Sequence, residues 1–338
     1  MTYKNRMNGK LKYIFIISIL VSIIIMTGCG SDPFIKDSTI LEYDVASLET
    51  IPNNPYFDLK VPTYITKIDN LYFIVDCYNN QVIYNENLEE PLCYWSVMTS
   101  DINMGHTIAS DGTVYLIDDT ENNRILVMEK RKNSSETDVF VPTQEFSQIG
   151  TRPHFILYDE NTETFYAWSS MTGEMFLFKR KTEDNRVFLS EIRKIEELDG
   201  FYVRSFSIID DMVYFVSGNG NIIVADMDDF SIKQRYAVPD ELFGMVQVTK
   251  IDDYFYVTVS TDILCNQEAA TIIRTKDLSA LALGDYEDVY EHFIGGGTPY
   301  CITSFDDHFY LCEHRIPGHS IWQFDVKNNS IQNETTIY

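Results

Sequence analysis

Downstream of residue 61 the chain is built from short runs in which apolar and polar positions alternate, broken by clusters of Asp, Asn, Gly and Ser. A period of two is the mark of a half-buried β-strand, because successive side chains leave a strand on opposite faces. One stretch shows the grammar: "HTIAS", a turn at Asp111-Gly112, "TVYLIDD", a loop "TENN", "RILVMEK", and an outer strand near "DVFVP". An Asp-Gly pair between alternating runs is a strong hairpin signal. The same hairpin recurs as "IDNLYFIV" from Ile68, "SDGTVYLI" from Ser110, a stretched "YDENTETFYAW" from Tyr158, "IDDMVYFV" from Ile209, "IDDYFYVT" from Ile251 and "FDDHFYLC" from Phe305. Its anchoring tyrosines, Tyr72, Tyr115, Tyr166, Tyr214, Tyr256 and Tyr310, lie 43, 51, 48, 42 and 54 residues apart. Repeats of roughly 40 to 50 residues made of strands and turns belong to β-propellers, one repeat to a blade. The expected fold is therefore all-β, a six-bladed propeller of four-stranded antiparallel blades. No helix is required, although 240–247 and 275–288 each admit a helical turn.

The second copy, "DGTVYLIDDTENNRILVME", resembles an NHL repeat: an Asp-Gly turn, a strand ending in aspartate, an Asn-Arg pair and an Ile-x-Val strand. The first copy follows it with Asp76, Asn79 and Asn80 but has Gln81 in place of the arginine, and the later copies keep mainly the shape. The resemblance implies a six-bladed propeller rather than an activity. NHL-type propellers mostly bind proteins or small ligands, and a minority are lyases.

Residues 1–28 do not alternate. Lys4, Arg6, Lys10 and Lys12 precede an apolar run, "YIFIISILVSIIIMTG", that ends directly before Cys29. The run is short for a membrane span and reads as a secretory signal. "MTGC" resembles the bacterial lipobox, with Met26 at the usual leucine position, and implies diacylation of Cys29 and a cell-membrane location facing outward. The expected organisation is thus a lipoprotein signal over 1–28, an N-terminal segment over 29–61, and the propeller over 62–338. That segment serves either as a tether or as a strand added to the last blade to close the ring.

Charge narrows the partners. Four of the 26 basic residues and none of the 51 acidic ones precede Cys29, so the remaining chain has 22 against 51, a net charge of −29. Nucleic acid is excluded as a partner, since phosphate binding needs the opposite sign. Beyond Cys29 the cysteines are Cys77, Cys93, Cys265, Cys301 and Cys312, an odd set without metal-like spacing, so a disulfide framework is not expected. Cys301 and Cys312 face each other if the ladder is regular, as a bridge or as two buried thiols.

Ligands of propellers meet the residues that begin the inner strands. Counting back five residues from each turn aspartate gives Tyr64, His106, His154, Ser205, Gln247 and Cys301. One step earlier come Thr63, Gly105, Pro153, Arg204, Val246 and Tyr300. A slip of one residue exchanges the two rows, so they form one zone. From it His106, His154, Arg204 and Tyr300, with His314 of the loop "EHRIPGHS", are the expected ligand contacts: guanidinium suits a carboxylate or phosphate, and imidazole and phenol suit a sugar or peptide. Two imidazoles fall short of a metal site, and the rows offer no carboxylate for a calcium-dependent lactonase site. No metal, cofactor or catalytic set is assigned. The expected function is binding of an extracellular protein, peptide or glycan by a membrane-anchored propeller; the alternative is an extracellular lyase or hydrolase of lactones or glycans, using histidine and tyrosine as acid and base.

Overall fold

The computed structural model describes residues 38–48 and 53–338; the signal segment and Cys29 lie outside them. Six antiparallel sheets follow one another, over 62–99, 108–147, 153–194, 203–237, 245–288 and 298–336, and in each the strands pair in sequence order. Each sheet supplies four strands, and the innermost strands pack side by side until Thr298–Phe305 meets Pro62–Ile68. The protein is a six-bladed β-propeller. All six repeat tyrosines lie on second strands. The turns that lack glycine work because acidic residues tolerate the left-handed region: Asp210 and Asp211 have φ of 50° and 61°, Asp306 and Asp307 of 49° and 62°. The two segments that admitted helix hold 3-10 turns, Asp240–Leu242 and Leu278–Leu283. Among the described residues no helix is long and apolar enough to cross a membrane.

Apolar clusters fill the seams between blades, and polar side chains of the inner strands bind the main chain of the next blade. Thr63 donates to the His106 carbonyl (2.8 Å), Thr107 accepts from the Ile156 amide (2.8 Å), and Thr303 donates to the Ile65 carbonyl across the closure (2.8 Å). Gln247 makes two bonds to Ile302, donating to its carbonyl (3.1 Å) and accepting from its amide (2.7 Å). These bonds satisfy buried groups that a short inner strand leaves unpaired.

Among the described residues, the segment before residue 62 adds no strand to the last blade. Thr39–Ile40 pairs antiparallel with the outer strand of the second blade, Thr39 opposite Glu145, as a fifth strand there. The last blade needs no borrowed strand, because Ser330–Thr336 already pairs with Ile321–Lys327. Closure instead rests on a core shared by the first and last blades, including Ile65, Ile83, Trp95, Tyr310 and Ile321. Tyr338 clasps it: its ring meets Trp95 edge-on at 6.0 Å, its hydroxyl accepts from Trp95 Nε1 (2.9 Å), and it faces the carbonyls of Leu88 and Glu90 at 2.6 Å each.

The ladder between inner and second strands is irregular at one level. It shifts between Pro62 and Tyr64, Pro153 and Phe155, Val203 and Phe206, Met245 and Gln247, and Pro299 and Ile302. A bulge of this kind leaves residues unpaired and re-aims their side chains. Cys301 falls in one of them, so it does not sit opposite Cys312, and both are buried free thiols.

The Tyr338 clasp is testable. Tyr338→Ala is expected to lower the unfolding free energy by about 2–4 kcal/mol, through lost packing and hydrogen bonds, and Tyr338→Phe by about 1 kcal/mol. Denaturant titration measures both; a loss below about 0.5 kcal/mol for the alanine variant, the range of neutral surface changes, would place the closing contact elsewhere.

Candidate functional site

At the end of the ring where inner strands begin and second strands finish, a cavity of about 220 Å³ is lined by residues of all six blades and the loops that enter them, among them Thr63, Cys77, His106, Arg152, Arg204, Ser260 and Tyr300. The loops that build it are held by side chains of the repeat motif. Asp76, at the end of a second strand, accepts from the amides of Lys60 and Val61 (3.1 Å each). One blade on, Asp119 takes the position of Asp76 and accepts from Asn103 N (2.7 Å), while the adjacent Asp118 accepts from His106 N (2.8 Å), Thr107 N (2.6 Å) and Thr107 Oγ1 (2.7 Å). The asparagine that follows reaches the next blade: Asn80 (φ 54°) accepts from Met104 N (2.9 Å), and Asn123 (φ 52°) from Arg152 N (2.7 Å). Two later copies have Gly173 and Gly220 with positive φ in the corresponding loops. Residues that mark the repeat thus place His106 and Arg152.

His106 and His154 stack face to face, 3.6 Å between centroids and 26° between planes, and Tyr300 continues the stack at 5.8 Å from His106. The hydroxyl of Thr120 lies 2.7 Å from the Pro153 carbonyl and 3.0 Å from Asp118 Oδ2, two acceptors that use its one proton. It therefore accepts from His106 Nδ1 at 3.0 Å, leaving Nε2 to face the Cys77 thiol at 3.7 Å. Burial pushes the Cys77 thiol up, so it stays protonated beside this nitrogen. His154 is 1% exposed, and its Nε2 faces the hydroxyls of Tyr202 (2.8 Å) and Tyr300 (3.5 Å). Burial first, then the neighbouring His106 and Arg204, hold His154 well below the ordinary histidine range, so it is neutral, with Nε2 bonded to a tyrosine hydroxyl and Nδ1 buried without a hydrogen-bond partner. Burial also raises the Tyr300 phenol well above its usual range.

Two cations border this stack. The guanidiniums of Arg152 and Arg204 lie over the Tyr202 ring, 5.9 and 5.4 Å from its centroid. Arg152 is paired with Glu121. Arg204 donates to Ser260 Oγ and approaches the Gly244 carbonyl at 3.5 Å, and among the described residues no carboxylate pairs with it. His314 also lines the cavity; its Nδ1 is buried without a hydrogen-bond partner, and burial with the adjacent Arg315 lowers its pKa to about 4. The arrangement offers an anion one uncompensated guanidinium and several neutral donors. It also joins an imidazole to two phenols, the elements of proton transfer.

The structure brings together all five residues expected at the site: His106, Arg204, Tyr300 and His314 line the cavity, and His154 sits against His106 and Tyr300. They come from both counted rows because the bulges cancel strict alternation at this level. Sequence reasoning missed Cys77, Arg152, Tyr202, Ser260, Gln267 and Thr298. Arg152 and Tyr202 immediately precede the inner strands Pro153–Asp159 and Val203–Ile209, so extending the count into the preceding loops finds them. Ser260 and Gln267 belong to the long loop "STDILCNQEAA", whose inward turn no local pattern reports.

No family model and no curated protein matches the chain. Solved propellers do share its fold. A protein from Bacteroides uniformis proposed to be a 6-phosphogluconolactonase aligns over 81% of this chain and 85% of its own, with a TM-score of 0.57 at 12% identity. A second such protein, from Bacteroides fragilis, aligns over 81% and 84%, with 0.56 at 12%. Streptogramin B lyase aligns over 85% and 86%, with 0.52 at 13%. At these identities the likeness is one of architecture.

The buried histidines make stability depend on pH. Unfolded, His154 and His314 take up a proton near their ordinary pKa of 6.5, whereas the folded forms refuse it until much lower pH. The unfolded state therefore binds more protons below 6.5, and stability falls with acidification, by about 1.4 kcal/mol per pH unit for each histidine. Chemical denaturation between pH 7 and 4.5 is expected to give a steeper loss for the wild type than for His154→Gln combined with His314→Gln. Parallel slopes would mean that both imidazoles are protonated in the folded state.

Proposed function

We propose that this protein is a bacterial lipoprotein, related to the NHL-repeat propellers and anchored through Cys29 to the outer side of the cell membrane, that binds an extracellular ligand at the mouth of its channel. The ligand, a protein, peptide or glycan, is held by an anionic group. The observation that carries this reading is Arg204: a half-buried guanidinium in a cavity, with no carboxylate partner among the described residues, in a chain of net charge −25. A protein with so many acids and an unpaired internal cation has arranged for an outside anion to complete the pair. Tyr202 fixes the guanidinium from one side, and the neutral His154, through Tyr202 and Tyr300, keeps a second positive charge out of the stack. The motif "MTGC" and the basic, apolar stretch before it support the anchor.

A second reading is catalysis on a lactone or glycan. It draws on the Tyr202–His154–Tyr300 arrangement, where a neutral imidazole touches two phenols, and on architectural neighbours proposed to act on 6-phosphogluconolactone, which unites an anion with a lactone. Hydrolysis of that lactone above the uncatalysed rate, abolished in His154→Gln, is the result that would favour it. Binding stands first because no nucleophile with a depressed pKa faces the cavity: the thiol of Cys77 is pushed up, not down.

Inorganic phosphate is expected to bind the wild-type protein in calorimetric titration, and Arg204→Ala to weaken it by about 1.5–3 kcal/mol, the range for a hydrogen bond to a charged group. Equal affinities for the two proteins would remove the anion from this site. For the anchor, Cys29→Ala is expected to abolish incorporation of labelled fatty acid and to release the protein from membranes or leave it unprocessed. Labelling that survives the substitution ends the lipoprotein assignment.

A further inference from the structure

The cavity is small. Pockets that enclose whole small ligands measure roughly 300–1,000 Å³, whereas this one measures about 220 Å³, space for one side-chain-sized group. Whatever carries the anion lies mostly outside, over the surrounding loops. Those loops are unusually apolar. Phe57, Tyr78, Phe201, Ile263, Leu264 and Ile294 are all exposed, Phe57 at 79% and Leu264 at 77%, and all six lie in loops that enter an inner strand or leave a second strand. At the opposite end of the ring, among the described residues, the exposed large apolar residues in loops are Tyr43, Tyr94 and Leu283.

The apolar residues border the cavity through the chain itself. Tyr78 is part of the lining, Phe201 is adjacent to Tyr202, Ile263 and Leu264 lie between Thr261 and Gln267, and Ile294 lies four residues before Thr298. They come from loops of the first, fourth, fifth and sixth blades, so apolar surface lies on several sides of the mouth. Exposed apolar surface concentrated in one place marks an interaction site, and large apolar side chains around a desolvated charge are the anatomy of a protein interface. The rest of the molecule limits the charge of the partner: at −25, it repels a polyanion, an anionic glycan chain or an anionic membrane alike.

We infer that the occupant is a polypeptide segment that crosses the mouth of the ring, inserts one aspartate or glutamate side chain beside Arg204, and rests its flanking apolar residues on Phe57, Tyr78, Phe201, Leu264 and Ile294. This rests on the anion reading of the cavity and adds the class of partner. A side chain fits better than a chain terminus because the apolar surface continues on several sides, where a segment that ends in the cavity would leave part of it bare.

The test uses the full-length protein in detergent and a random peptide library displayed as a closed loop on a carrier, so that no peptide has a free C terminus. Enriched loops are expected to contain an acidic residue between apolar ones. Phe57→Ser combined with Leu264→Ser is expected to weaken an enriched loop by about tenfold or more and to leave phosphate affinity unchanged, since neither residue lines the cavity. Arg204→Ala is expected to weaken both. Enrichment of loops without acid, indifference of the loops to the apolar double substitution, or binding only to free C-terminal carboxylates overturns the inference while wild-type phosphate binding keeps the anion reading. Capture of phosphatidylglycerol vesicles that is lost with the apolar double substitution would assign the surface to a membrane and overturn it too. Failure of the wild type to bind phosphate removes both together.

Discussion

The site depends on a carboxylate that does not line its cavity. At the end of a second strand, Asp118 is fully buried and spends its acceptor capacity on two main-chain amides and two hydroxyls, from His106, Thr107 and Thr120. A buried carboxylate is tolerated only when its lone pairs are satisfied, so the loop carrying those donors has one conformation to adopt. That loop places the imidazole of His106 against His154, and Thr120 sets its tautomer. Asp76 fixes the equivalent loop of the first blade, and Asn80 and Asn123 carry the constraint around the ring to Met104 and Arg152. The residues that define the repeat are therefore positioning residues for the cavity.

The cavity separates two electrostatic tasks. Inside it, burial keeps His154, Tyr300 and Cys77 uncharged, and imidazoles stacked 3.6 Å apart cannot both carry a charge. The charge is left to the guanidiniums, one paired and one not. Acidic residues elsewhere on the molecule hold off polyanions without neutralising the mouth, since exposed charges beyond a Debye length of about 10 Å are screened. A cation surrounded by neutral donors selects for a single anionic group.

The blade count, the hairpin positions and the end of the ring that carries the site follow from local chemistry. Alternation, acidic turns and the tyrosine spacing are nearest-neighbour properties, which is why Tyr72 through Tyr310 could be assigned to second strands from the chain alone. His106, His154, Arg204, Tyr300 and His314 were visible for the same reason: in a propeller, position along a repeat is position along the channel. What alternation cannot report is where it breaks. The bulges at the inner-strand starts bring two rows into one cavity and part Cys301 from Cys312. The strand Thr39–Ile40 adds to the second blade, which like the last has four strands of its own. The contacts across repeats, Tyr338 on Trp95, Tyr202 on His154, Arg204 on Ser260, join residues separated by 243, 48 and 56 positions. No periodic pattern encodes such pairs. They exist because closing the ring brings distant loops to one mouth, where the burial of each polar group is paid by a partner from another blade.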